Sequence, residues 1–135
     1  MKTNLHWLDR TLLTSPYCYA LCLDEKAFRK EQKHMRVPKD ERVSFVMNSG
    51  SGATAHFFNN PSGDGLCVIV TLCDDPKLDL IQIYCELVHE AVHIWQEIKE
   101  SLGEDTPGQE GEAYAVQAIA QNLMYAYQEQ SKCRR

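Results

Sequence analysis

The sequence predicts an α+β fold, in which a small three-stranded sheet packs on one long helix that forms a hairpin with a C-terminal helix. Three observations predict it. Runs with strand character lie between residues 42 and 72, a helical apolar pattern follows Asp75-Pro76, and a second one fills 106–130. At 135 residues the whole chain reads as a single domain, long enough to bury a core without disulfide staples.

Each element has a local cause. Residues 3–14 carry Leu5, Leu8 and Leu12 at amphipathic spacing and predict a short helix. Asp24 is placed to cap a polar helix through about Met35, which Val37-Pro38 ends. Residues 42–48 predict a first strand, and Asn48-Ser49-Gly50-Ser51-Gly52 a turn. Residues 53–58 predict a second strand, with another turn signal between Asn59 and Gly65. Leu66–Leu72 is the most strand-like run, because Val68, Ile69, Val70 and Thr71 are all β-branched.

The long helix is two-sided. Ile83, Leu87, Ala91, Ile94 and Ile98 fall on an apolar half. Glu86, His89, Glu90, His93, Glu97 and Glu100 crowd a sector of about 100° on the other. Within that sector lies His89-Glu90-Ala91-Val92-His93, an HExxH motif. Histidines four apart share a helix face and reach one Zn²⁺, while the glutamate between them is set to take a proton from a zinc-bound water. A solvated face with chance histidines gives no reason for that grouping; a cleft floor does.

A catalytic zinc takes a third protein ligand. Thr106, Pro107 and Gln109 predict the start of the last helix as N-cap, first residue and capping-box partner. Val116, Ile119, Ala120, Leu123 and Tyr127 form its buried stripe. Glu112 lies on that stripe, whereas Glu110 falls roughly 160° away. In an antiparallel hairpin His93 lies ~13 Å before the turn and Glu112 ~9 Å after it, levels within a glutamate's reach of one another. Glu112 is therefore the expected third ligand, set against the bland role of an acidic residue suited to a helix N-terminus.

Composition narrows the partners. A net charge of −5 argues against nucleic acid, whose phosphates call for a basic surface. No run approaches the ~18 apolar residues of a membrane span, and Asp9 and Arg10 interrupt any secretion signal. A cytoplasmic protein with reduced cysteines is expected. Cys18 and Cys22 are spaced to share a helix face, but without a second Cys/His pair nearby they read as small buried hydrophobes.

The order of sheet, HExxH helix, short loop and glutamate-bearing helix resembles the gluzincin branch of the zincin metallopeptidases in reduced form. Glu110-Gly111-Glu112-Ala113-Tyr114-Ala115 is similar to the corresponding helix of the ImmA/IrrE metallopeptidase family. Leu87 to Gln96 and Glu112 to Gln117, with 53–58 and 66–70, resemble small phage- and prophage-encoded proteins over most of the chain. Two departures stand out. Val116 occupies the position where many gluzincins have an acidic residue supporting a zinc histidine, which leaves a backbone carbonyl or Glu86 for that task. No further histidine follows in the metzincin pattern.

The expectation is thus a zinc-dependent peptidase. His89, His93 and Glu112 hold Zn²⁺, Glu90 is the general base, and the substrate is a protein or peptide laid as an added strand along 53–58 or 66–72. Tyr114 and His56 are candidates for stabilising the oxyanion; the competing role for each is ordinary packing. The alternative is a catalytically idle zinc-binding interaction module, which Glu90 distinguishes because only turnover needs it.

Overall fold

The computed structural model describes residues 5, 7–8, 17–45, 52–59 and 66–132. The chain runs β1 (Trp7–Leu8), β2 (Tyr17–Cys22), α1 (Glu25–His34), a 3-10 turn at Lys39–Glu41, β3 (Ala53–Asn59), β4 (Leu66–Leu72), α2 (Leu80–Ser101) and α3 (Gln109–Lys132). The class is α+β, but the sheet has four strands among the described residues and is not built from the three successive strands expected between 42 and 72. Its order is β1-β2-β4-β3. β2 runs parallel to β4, β3 runs antiparallel to it, and β1 adds two residues antiparallel to β2.

Two corrections follow at the N-terminal end. Trp7–Leu8 is strand, not helix; the rest of the helix expected at 3–14, Leu5 apart, lies outside the described residues. Residues 42–45 do not form a strand, and 46–48 lie outside the described residues. The reason is Gln32: its amide accepts from Val43 N–H at 2.9 Å and donates to Val43 C=O at 3.0 Å. A side chain of α1 thus satisfies a backbone that was expected to pair with a strand.

β2 takes that place in the sheet. Tyr19 and Leu21 pack with α2 and α3, and Cys22 packs with α1. A strand covered on both faces reads as a continuous apolar run rather than an alternating one. Cys18 and Cys22 therefore share a strand face, not a helix face, and Cys22 is buried.

α1 begins where expected, with Asp24 accepting from Lys26 N–H at 3.2 Å. α2 begins later than Asp75-Pro76. Asp79 and Gln82 form a reciprocal capping box, with bonds of 2.8 and 2.9 Å, while Asp75 closes a turn on Lys77. The helix ends at Ser101, and just beyond it the φ of 72° at Gly103 closes the end, with Gly103 N–H on Glu100 C=O and Glu104 N–H on Lys99 C=O. α3 starts at Gln109, two residues beyond the expected first residue Pro107, and Gly108 C=O accepts from Glu112 N–H at 2.9 Å.

The sheet lies between two helical layers. On one face Ile83, Leu87, Ala91, Ile94 and Ile98 of α2 pack with Val68, Val70 and Leu72 of β4 and with Ile119 and Leu123 of α3. On the other, Ala27 and Phe28 of α1 pack on Cys67 and Ile69. β4 is central, so β3 is an edge strand among the described residues, and α2 lies against it. No helix among the described residues is long and apolar enough to cross a membrane.

Candidate metal centre

α2 presents the HExxH residues as the helical phase requires. His89 and His93 stand on its exposed face one turn apart, with ring centroids 4.8 Å apart and Nε2 atoms 3.1 Å apart. Two imidazole nitrogens on one tetrahedral ion, each ~2.0–2.1 Å from it, are separated by ~3.3 Å. The pair therefore fits two positions of such an ion with little adjustment.

His93 is oriented by a residue that the sequence reading passed over. Its Nδ1 lies 3.0 Å from Gln96 Oε1. An amide oxygen only accepts, so Nδ1 carries the proton and the lone pair of Nε2 accepts from His89 Nε2–H. Gln96 thus gives the His93 ring the anchor that a backbone carbonyl or Glu86 was expected to give. Its spacing of three from His93 was the available signal. Glu86 is not that support: its carboxylate packs on Gly52, where an added Cβ would stand 3.0 Å from Glu86 Cδ.

Glu90 turns from the exposed face towards the sheet and is only 5% exposed. Burial raises its pKa above the usual carboxylate value. The charges of His89 and His93, and a hydrogen bond from the Ala55 backbone of β3, act in the opposite direction. Ala53, Thr54, Ala55 and Phe57 of β3 and Glu90, His93, Gln96 and Glu97 of α2 line a cleft of about 270 Å³. Of the two strands considered as the cleft edge, the structure puts β3 there and β4 in the centre of the sheet.

The remaining expected site residues are not brought to this cleft. Glu112 Oε2 accepts from Trp95 Nε1 at 2.7 Å and from Lys99 Nζ at 3.3 Å. These two bonds, Trp95 first, hold its carboxyl below the usual carboxylate range. Glu112 misses the histidines because α3 starts at Gln109, two residues after the expected Pro107. Glu112 is then only in the first turn and lies beside the end of α2 rather than beside His93.

Tyr114 is 62% exposed on α3 and does not line the cleft. His56 lies on the opposite face of the sheet from Glu90. It stacks on Phe28 at 4.9 Å, with Nε2 2.9 Å from Thr71 Oγ1. Strand alternation sends residues 53, 55 and 57 to α2 and 54, 56 and 58 to α1. Burial lowers its pKa to about 4 against a raising hydrogen bond to the Phe45 backbone.

Among the described residues no third His, Cys, Asp or Glu joins the histidine pair. The pair fits a metal ion; the three-donor set His89, His93 and Glu112 is not assembled. Comparison of the chain with protein-family models, with curated proteins and with solved structures found no match.

Proposed function

We propose that this chain is a metal-dependent peptidase of the zincin type, with His89 and His93 holding Zn²⁺ and Glu90 acting as general base. One observation carries the reading. A glutamate is kept buried at the floor of a cleft, beside two imidazoles whose Nε2 atoms lie 3.1 Å apart. Burying a carboxylate works against stability, and a module that only binds has no use for it.

A bound zinc ion would supply Lewis-acid polarisation of the scissile carbonyl and would acidify a water molecule. The chain supplies the rest. Glu90 takes the proton of the attacking water and returns it to the leaving amine. The Ala55 hydrogen bond fixes that carboxylate relative to the sheet, and Gln96 fixes the His93 ring. The run 53–57 of β3 offers an extended backbone along the cleft, suited to an extended peptide.

A second reading, a metal-binding module without turnover, is favoured by one specific feature. The glutamate expected to complete the ligand set is engaged with Trp95 and Lys99. Glu90→Gln separates the two readings. It conserves size and leaves both histidines in place, so zinc binding persists while peptide hydrolysis falls to background. Equal hydrolysis by both proteins would rule out the peptidase.

A further inference from the structure

We infer that Glu112 is the clasp of the α2–α3 hairpin and not a metal donor, so that the site is a two-histidine chelate whose other positions are open to ligands from outside the chain. The inference rests on the proposed reading of His89 and His93 as a metal pair, and it specifies the donor set.

Position along the helix comes first. Trp95 and Lys99 are centred six residues after the midpoint of His89 and His93, which is ~9 Å along α2. They are also rotated about 80–160° from the histidines at ~100° per residue. A glutamate side chain extends only ~5 Å from its Cα. The Cα of Glu112 is itself fixed, because its N–H is bonded to Gly108 C=O in the first turn of α3. Rotating the side chain cannot cover both the axial and the angular distance.

The partners of Glu112 add a second argument. Trp95 is 7% exposed, so its indole N–H has little access to water. Withdrawing the carboxylate would strand that donor and separate an ion pair with Lys99. A ligand swing would therefore undo the contact that joins the end of α2 to the start of α3. The histidines need no such change, since their Nε2 atoms already converge.

Such a site selects ions by imidazole affinity. It should take Zn²⁺, Ni²⁺ and Cu²⁺ and ignore Mg²⁺ and Ca²⁺, which prefer sets of oxygen donors.

The test is calorimetric titration of the full chain with ZnCl₂, for wild type, Glu112→Gln, Trp95→Phe and His93→Ala. Zinc affinity within about twofold of wild type is expected for Glu112→Gln and Trp95→Phe, both melting at lower temperature. His93→Ala should lose more than about 100-fold, beyond the 10–100-fold typical of outer-shell changes. Weakening of zinc by tenfold or more in Glu112→Gln would overturn the inference while leaving the metal-site reading intact. So would tighter binding in Trp95→Phe, where a released Glu112 reaches the ion, and that arm serves if Glu112→Gln does not fold. No zinc binding by wild type would overturn both.

Discussion

The backbone of Ala55, on the edge strand β3, is hydrogen-bonded to the carboxylate of Glu90 in the HExxH motif of α2. That bond couples the sheet register to the position of the candidate base. The same carboxyl is held largely out of water, which works against stability whenever the group is charged. Glu90→Gln should therefore melt no lower than wild type, and higher if the amide keeps the Ala55 contact. Thermal unfolding of the two apo proteins checks this; a loss of several degrees would make Glu90 a structural residue.

The Trp95–Glu112 bond predicts a measurable coupling. Glu112→Ala leaves a nearly buried indole N–H without its acceptor, at a cost of about 1–3 kcal/mol. Trp95→Phe removes the donor, so the double variant should cost less than the two single changes together. Urea unfolding of the four proteins gives the interaction energy.

His56 predicts a pH dependence unconnected with the cleft. Its folded pKa of about 4 lies below the ordinary 6.5 because burial disfavours the charged ring. Between these values the unfolded chain binds a proton that the folded chain refuses. Its contribution to stability is therefore full above pH 6.5 and is lost as pH falls towards 4, by at most ~3 kcal/mol. His56→Asn should flatten that part of the stability profile; an unchanged slope would contradict the assignment.

Leu87 is fully buried where α2 meets the sheet. Leu87→Ala should cost 2–5 kcal/mol, read from denaturant unfolding. A cost below ~1 kcal/mol would argue against this packing of α2.

How far the sequence spoke depends on the range of the interaction. β3, β4 and α1 were legible because their signals are local: β-branched runs, and a capping aspartate at Asp24. The His89–Glu90–His93 grouping was legible for the same reason, since one helix carries it. β2 was missed because a strand buried on both faces loses the alternation that identifies strands. The strand expected at 42–48 was displaced, at residues 42–45, by a contact from Gln32, eleven residues away. Glu112 depended on the start of α3, where a T-P-x-Q pattern suggested a first residue at Pro107 and the helix began at Gln109. Two residues are ~3 Å along an axis, which moves the carboxylate towards the end of α2 and away from the histidines it was expected to join.

Zinc titration of tag-free protein tests the central claim most directly, because every functional statement above depends on His89 and His93 holding one ion. The account predicts one Zn²⁺ per chain for wild type, none for His89→Ala or His93→Ala, and far-ultraviolet circular dichroism unchanged among the three. Equal zinc uptake by wild type and both variants, or uptake by none, would contradict it.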